Sequence, residues 1–266
     1  MKKSFSCLLA AAMCLSLAAC SAKPAESGAA NQSDLAYVQD KGTLIVGITE
    51  FEPMDFQDAD GNWIGFDADM AKAFAESLGV DVQFQVIDWD NKAFELDGMT
   101  IDVVWNGMTL TDEVKAAMDC SNPYCKNAQM VIVPADKAAD YQTADSVKDL
   151  AFAVESGSAG KEQVAAMGAN YTEVLDQATA LMEVSSGTAE AAVIDSLMAA
   201  AMVGEGTSYA DLTYTVGLNS EEYGVGFRKG SDLVAELNQF FQDSYADGSM
   251  QAIAETYGVQ AALIEQ

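Results

Sequence analysis

Apolar runs of strand length alternate with helical patterns along most of the chain. The runs are continuous in most places and alternate with polar residues in a few, and both patterns are typical of strands. They lie at residues 44–48, 80–86, 101–105, 130–133, 151–154, 171–175, 191–194, 214–216 and 224–227.

Apolar residues spaced by three and four positions predict amphipathic helices between these strands. The helices are expected at 67–78, 157–167, 178–185, 195–202, 233–245 and 250–257. Gly79 follows the first of them, where glycine commonly ends a helix. Alternating strands and helices predict an α/β architecture with largely parallel sheets. Continuous apolar strands predict sheets that are covered on both faces.

The first twenty residues have a different pattern. Lys2 and Lys3 precede an apolar run at 5–17, which is too short to span a bilayer and is typical of a secretory signal peptide. The sequence Leu-Ala-Ala-Cys at 17–20 resembles the lipobox of bacterial lipoproteins, in which the cysteine is acylated and the chain is cut before it. We therefore predict a signal peptide at 1–19 and a lipid on Cys20. A plain signal peptide with a chance cysteine is the alternative.

Residues 20–33 are small, polar and aperiodic. Such a segment cannot bury a core and is expected to be a flexible tether. No later segment is apolar over the length needed to cross a membrane. The sequence thus predicts an extracytoplasmic, lipid-anchored protein whose folded part begins at about residue 34.

Composition narrows the range of functions. The chain has 13 basic and 41 acidic residues, a formal net charge of −28, so it repels phosphate backbones and is not expected to bind nucleic acid. It has no histidine, which removes the usual general base and the commonest zinc ligand. We expect no enzyme activity, no cofactor and no metal site.

Two cysteines, Cys120 and Cys125, remain after Cys20 and the signal peptide are set aside. A disulfide in an oxidising exterior and two separate thiols are both compatible with their spacing. A zinc site is not expected from two thiols without histidine.

Polar and aromatic residues follow five of the predicted strands, at 49–51, 88–90, 106–109, 155–158 and 195–196. Ligands of α/β proteins bind at the carboxyl ends of strands. Aromatic rings with carboxylates, hydroxyls and glycine N–H groups suit a small polar or cationic ligand. Helix capping is the alternative for any one of these residues.

Several motifs in this order resemble the amino-acid family of extracellular solute-binding proteins that serve ABC importers. The segment Gly-Phe-Asp-Ala-Asp-Met-Ala at 65–71 is similar to the family's Gly-Phe-Asp-x-Asp-(Leu/Met)-Ala signature. Other matching segments lie at 42–47, 102–111, 121–124, 156–159, 191–195 and 223–230.

The resemblance implies a two-lobe periplasmic-binding-protein (type II) fold with two hinge strands and a ligand cleft between the lobes. Lobe 1 would be residues 34–126 plus 223–266, and lobe 2 would be residues 127–222. Closure of the lobes on a ligand would present the closed form to the transporter.

By position, the resemblance implies that Phe51 and Trp89 form an aromatic sandwich around the ligand. The Thr109 hydroxyl and the Gly107 backbone would contact its carboxylate. These four residues would all come from lobe 1.

Lobe 2 would supply Gly157 and Ser158, whose N–H groups lie at a helix N-terminus, and Asp195, which would hold the amino group of the ligand. Asn106 and Glu50 would line the same mouth.

The chain departs from the family where an arginine usually fixes the carboxylate of the ligand, because Val114 stands there. Lys115, one residue further, is one candidate replacement. The other possibility is a neutral or cationic ligand without a free carboxylate. The residues that would suit an amine or a basic side chain are Glu50, Glu155, Asp195, Phe51, Trp89 and Trp105. The missing arginine disfavours acidic amino acids, since a buried carboxylate without a cation is costly.

The sequence thus predicts a monomeric substrate-binding lipoprotein of an ABC transporter. It would capture a small amino acid or related amine and deliver it to the permease subunits. A ligand-sensing receptor partner is the alternative. A cyclohexadienyl dehydratase-like enzyme is disfavoured by the absence of histidine and of the anchoring arginine.

Overall fold

The computed structural model describes residues 33–266. The predicted signal peptide at 1–19, the predicted lipid on Cys20 and the predicted tether at 20–33, except for Ser33, lie outside the described residues. Within 33–266, no helix has both the length and the apolar character required of a membrane-spanning segment.

Nine of the thirteen strands within residues 33–266 correspond to the predicted apolar runs, and the four strands of two or three residues were not predicted. In chain order they are β1 (Thr43–Ile48), β2 (Phe56–Gln57), β3 (Trp63–Ile64), β4 (Asp81–Val86), β5 (Val103–Thr109), β6 (Asp119–Cys120), β7 (Cys125–Asn127), β8 (Gln129–Pro134), β9 (Ala151–Glu155), β10 (Asn170–Val174), β11 (Ala191–Asp195), β12 (Leu212–Gly217) and β13 (Glu221–Phe227).

The α-helices cover the faces of the sheets. They are α1 (Asp34–Lys41), α2 (Phe66–Leu78), α3 (Lys92–Asp97), α4 (Asp112–Ala117), α5 (Ala144–Val147), α6 (Ala159–Met167), α7 (Gln177–Ser185), α8 (Ser196–Met202), α9 (Leu233–Asp247) and α10 (Ser249–Thr256). Gly79 ends α2 in the left-handed conformation, with a φ of 75°, as the sequence predicts.

The strands form two main sheets, which agrees with the predicted α/β architecture. One sheet has the order β4-β1-β5-β13-β6, with β7 beside β13, and the other has the order β10-β9-β11-β8-β12. The pairs made by β1 with β4 and β5 are parallel, as are those made by β9 with β10 and β11. β8, β12 and β13 join their sheets antiparallel, so each sheet is mixed rather than wholly parallel.

The chain passes from one sheet to the other twice. It leaves the first sheet between Asn127 and Gln129 and returns between Gly217 and Glu221. Asn127 and Glu221 are paired across β7 and β13. The two crossings therefore lie side by side, and polar residues of both can contact each other.

Trp105 belongs to the core of the first sheet and not to a ligand site. Its side chain is fully buried and packs edge-on against Phe74 and Phe241, with ring centroids 6.3 and 5.6 Å apart. The apolar residues of β5 are buried on both faces of the strand. Trp105 therefore packs against the helices that cover the sheet. The suggestion that Trp105 contacts an amine ligand is therefore wrong.

Cys120 and Cys125 are both free thiols in the structure. Cys120 pairs with Gly226 and Cys125 pairs with Tyr223 on the neighbouring strand β13. Three residues along a strand separate these partners by about 10 Å. Because a disulfide needs Cα atoms less than about 7 Å apart, the strand pairing keeps the two thiols separate.

Candidate functional site

A cavity of about 260 Å³ lies at the carboxyl ends of β1, β5, β9 and β11. Its wall combines residues of both sheets, from Thr49 after β1 to Asp195 at the end of β11. The structure brings eight of the ten predicted binding residues into this wall. They are Phe51, Trp89, Asn106, Gly107, Thr109, Gly157, Ser158 and Asp195.

Glu50 and Lys115 do not line this cavity. Glu50 lines a neighbouring depression, where its carboxylate accepts a hydrogen bond from the N–H of Gln57 at 3.3 Å. Lys115 is exposed and lines a more open depression beside α4, whereas Val114 is buried in the cavity wall. Successive helical residues point about 100° apart, so a chain that directs Val114 inward turns Lys115 away.

Phe51 and Trp89 form apolar parts of the wall and are only 3% and 7% exposed. The Phe51 ring meets the edge of the Tyr223 ring at a centroid distance of 6.3 Å. A Cβ atom on Gly107 would lie 2.5 Å from the Phe51 ring, and Gly107 has a φ of 54°. Glycine at this position therefore allows the Phe51 ring to lie against the end of β5.

The groups predicted to bind a carboxylate already have protein acceptors. The Gly107 N–H donates to the carboxylate of Asp67 at 2.6 Å, and the Thr109 hydroxyl donates to Glu221 at 2.8 Å. Asp67 also accepts the Tyr124 hydroxyl at 2.7 Å. A ligand carboxylate would have to displace these acceptors in order to use either donor.

Asn106 connects the ends of β1 and β5. Its Oδ1 accepts the N–H and the hydroxyl of Thr49 at 2.9 and 2.7 Å. Its Nδ2 donates to the Thr49 carbonyl at 3.0 Å and to Asp55 at 2.8 Å. These four hydrogen bonds use all the donors and acceptors of a side-chain amide. Asn106 therefore shapes the wall but has no free donor or acceptor for a ligand.

Asp195 lies at the centre of a polar network that spans both chain crossings. Its Oδ1 accepts from Gln129 at 2.9 Å, from the Tyr223 hydroxyl at 2.8 Å and from Asn127, while its Oδ2 accepts from Gln177. An ionised carboxylate has about four acceptor sites. Asp195 therefore has its acceptor capacity filled by the protein.

Burial raises the pKa of Asp195 to about 7, and the negative charge of Glu221 contributes to the increase. Hydrogen bonds from Gln177 and Tyr223 act in the opposite direction. Glu221 itself accepts from Thr109, Asn127 and Gln129. The two acids are thus joined through shared amide donors at the crossings.

Gly157 and Ser158 lie at the start of α6, where the two halves of the structure touch. The Ser158 hydroxyl caps the helix by accepting from the Lys161 N–H at 3.1 Å, and the Ser158 N–H donates to the Glu155 carbonyl at 3.3 Å. A Cβ atom on Gly157 would lie 2.7 Å from the Cα of Asp90. The lack of a side chain at Gly157 permits this close approach.

Lys92 is a cavity residue that the sequence reasoning missed. Its ammonium donates to the Gly157 carbonyl at 2.9 Å and to the Trp89 carbonyl at 3.1 Å, and lies 4.9 Å from the centroid of the Trp89 ring. Burial lowers the pKa of Lys92. The sequence contained one signal that Lys92 lies near the ligand site. Lys92 follows Trp89 by three positions, and residues three positions apart lie on the same face of a helix.

Glu155 also lines the cavity and is only 3% exposed. Gln177 donates to its Oε2 at 3.5 Å, and its Oε1 has no hydrogen-bond partner within residues 33–266. Burial, followed by the charge of Asp195, raises the pKa of Glu155 well above its usual range. A buried carboxyl group with so few donors favours a cationic or donor partner.

Comparison with known proteins identifies the family of the chain. Residues 44–260 match the bacterial extracellular solute-binding proteins, family 3. The L-cystine-binding protein TcyJ of Escherichia coli (strain K12) is 30% identical over 243 residues, which cover 86% of this chain and 87% of that protein. The cyclohexadienyl dehydratase of Pseudomonas aeruginosa is 26% identical over 204 residues, which cover 75% of this chain and 74% of that enzyme.

The fold is also found in solved structures. A substrate-binding protein of an ABC uptake transporter from Streptococcus pneumoniae, with bound histidine, has a TM-score of 0.77 and 31% identity. The match covers 87% of this chain and 99% of that one. The predicted type II periplasmic-binding-protein fold is thereby confirmed.

Proposed function

Because the chain belongs to the bacterial extracellular solute-binding proteins of family 3, we propose that it is the substrate-binding lipoprotein of an ABC importer. It captures a small amino acid or a related amine and delivers it to the permease subunits. The observation that carries this proposal is the cavity whose wall is built jointly by the strand ends of both sheets.

The size and lining of the cavity support a ligand of amino-acid size. A volume of about 260 Å³ is close to the lower end of the range for small-molecule sites, about 300–1,000 Å³. The faces of Phe51 and Trp89 suit the apolar part or the positive charge of such a ligand.

The charges around the cavity disfavour acidic amino acids. Carboxylates in the wall outnumber cations, so a second carboxylate on the ligand would be repelled. The acids are Asp90, Glu113, Glu155, Glu162 and Asp195, and the cations are Lys92 and Lys161.

Lobe closure accompanies binding in our proposal. Lobe 1 comprises residues 34–126 and 223–266, lobe 2 comprises residues 127–222, and the protein acts as a monomer. The hydrogen bond from Lys92 to the Gly157 carbonyl supports this view because it joins the two lobes across the cavity. A ligand that contacts both walls would favour the closed state by mass action.

The protein acts outside the cytoplasmic membrane, anchored by a lipid on Cys20. Family membership supports an extracytoplasmic location, and the Leu-Ala-Ala-Cys sequence at 17–20 supports the anchor. The periplasm and the outer face of the cell membrane are both consistent with these features.

An enzyme is the second candidate, favoured by the likeness to the cyclohexadienyl dehydratase. We propose that the chain does not catalyse this reaction, because it has no histidine and carries Val114 where the family anchors the carboxylate. Incubation with prephenate is expected to yield no phenylpyruvate above the background rate. Turnover that saturates with prephenate concentration would reverse this assignment.

A thermal-shift screen tests the binding function. The panel holds the common amino acids, cystine, and their decarboxylated amines. A ligand at 100 times its Kd stabilises the folded state by about 2.7 kcal/mol, which raises the melting temperature by roughly 5–10 °C for a protein of this size. A shift with at least one member supports the proposal, and no shift with any member would refute it.

A further inference from the structure

The charged residues of the cavity wall differ in how well the protein satisfies them. Asp90, Glu113 and Glu162 are exposed at the rim, where water solvates their charges. Such charges contribute little to specificity in a high dielectric.

Two further charged residues of the wall have partners within the protein. Lys161 forms an ion pair with Glu173 at 2.9 Å. Asp195 accepts hydrogen bonds from four side chains, as described above. Neither residue has a charge that requires a ligand.

Lys92 and Glu155 are the two remaining acidic or basic residues of the cavity wall. Within residues 33–266, Lys92 has no carboxylate oxygen within 4.0 Å of its ammonium, although acids surround the cavity. Its ammonium makes hydrogen bonds to two backbone carbonyls, so one of its three N–H donors is not used there. Glu155 is buried with one oxygen unpartnered.

These two residues face the same cavity from opposite lobes yet do not pair with each other. An ammonium and a buried carboxyl group that line one cavity without an ion pair are complementary to a ligand that carries a carboxylate and an ammonium group. A molecule with both a carboxylate and an ammonium group would satisfy both residues at once. It would also connect the lobes, which favours closure.

We propose that the Lys92 ammonium holds the carboxylate of a zwitterionic ligand and that Glu155 holds its amino group. Lys92 would thereby bind the carboxylate as the family's arginine does. Val114 stands at the position of that arginine, and Lys92 reaches the ligand from a different element of the fold. Asp195 positions Gln177, which donates to Glu155. This inference rests on the proposed binding function.

The pKa directions agree with the geometry. Burial lowers the pKa of Lys92 and raises that of Glu155, so each group is less readily charged without a ligand. Asp195, Asp176 and Lys92 are the charged groups that act on Glu155. A bound zwitterion would stabilise the charged form of both residues.

Isothermal titration calorimetry with matched ligands tests the inference. The tightest amino acid of the panel is compared with its decarboxylated amine and its deaminated acid, for example L-histidine with histamine and imidazole propionate. Loss of either group is expected to weaken binding about 10- to 100-fold, the equivalent of a charge-assisted hydrogen bond.

The variants Lys92→Met and Glu155→Gln assign each group to its residue. In Lys92→Met, the ratio of the affinities for the amino acid and the amine is expected to fall towards one. This ratio cancels any general effect of losing the contact with Gly157. In Glu155→Gln, the ratio for the amino acid and the deaminated acid should fall instead. Lys148→Met is the matched control, because Lys148 lies outside the cavity wall, and it should leave both ratios unchanged.

Different failures have different meanings. If the amine binds the unmodified protein as tightly as the amino acid does, or if Lys92→Met leaves their ratio unchanged, the zwitterion inference is wrong while the binding function stands. If no member of the panel binds, the proposed function is wrong as well.

Discussion

Single residues decide how closely the two lobes can approach. Gly157 has a φ of 69°, and a Cβ there would lie 2.7 Å from both the Cα and the Oδ1 of Asp90. Backbone atoms cannot move out of the way as a flexible side chain can. Gly157→Ala is therefore expected to prevent the closed arrangement and weaken ligand binding at least 10-fold, which calorimetry would measure.

Gly168 provides a control for backbone strain. It has almost the same φ, 70°, but no heavy atom lies within 4 Å of the position of its Cβ. Both alanine variants should lose about 1–2 kcal/mol of stability, since a non-glycine residue is strained in this region. Gly168→Ala should bind ligand normally. Equal affinities for the two variants would show that the contact with Asp90 does not limit closure.

The lysines show what sequence reasoning can and cannot find at this scale. Proximity in the chain to Val114 suggests Lys115, but helical rotation turns it out of the cavity. Lys92 reaches the cavity because its long side chain extends to the Gly157 carbonyl, 65 positions away in the chain. A contact between lobes depends on tertiary structure, which no local pattern contains.

At the scale of elements, the start of α6 has a structural role and, in our proposal, also a binding role. The Ser158 hydroxyl accepts from the Lys161 N–H, and this bond is lost in Ser158→Ala. Loss of an N-cap costs about 1 kcal/mol. The backbone N–H of residue 158 is retained, so we expect lower stability in urea denaturation with less than a threefold change in ligand affinity.

Thr143 offers a comparison far from the cavity wall. It caps α5, with its hydroxyl accepting from the Ser146 N–H at 3.2 Å, and Thr143→Ala should lower stability by a similar amount. A large loss of affinity confined to Ser158→Ala would mean that the hydroxyl itself binds the ligand.

The sequence predicted long, strongly patterned elements well and short ones poorly. The helix expected at 67–78 is α2, and the strand expected at 191–194 is β11. The helix α1 was not expected, because only Val38 among its residues is buried and its apolar stripe is correspondingly weak. Strand β6 has only two residues and is specified by its pairing with β13, a partner more than 100 positions away.

At the scale of the whole molecule, the proposed attachment to the membrane depends on one thiol. Cys20→Ser is expected to abolish labelling by an alkynyl fatty acid fed to cells, since the acceptor sulfur is absent. Cys120→Ser is the matched control and should keep the label, because this thiol belongs to the folded part of the chain. Undiminished labelling of Cys20→Ser would contradict lipidation at this position.

Buried carboxyl groups in both lobes link stability to pH. Burial raises the pKa of Asp67 and of Asp195 to about 7, whereas an aspartate in an unfolded chain has a pKa of about 3.9. Between these values the folded protein binds more protons than the unfolded chain. The free energy of unfolding contributed by these groups is therefore highest below about pH 4 and falls as the pH rises to about 7.

The ligand-free protein should consequently unfold at a lower urea concentration at pH 8 than at pH 5. Exposed acids with lowered pKa values, such as Asp58 and Asp119, titrate below this range and do not reverse the trend. Asp67→Asn should reduce the dependence, because an amide oxygen can still accept from Gly107 and Tyr124 without acquiring a charge. A midpoint that rises from pH 5 to pH 8, or a dependence unchanged in Asp67→Asn, would show that the buried carboxylates are charged in the folded state at both pH values.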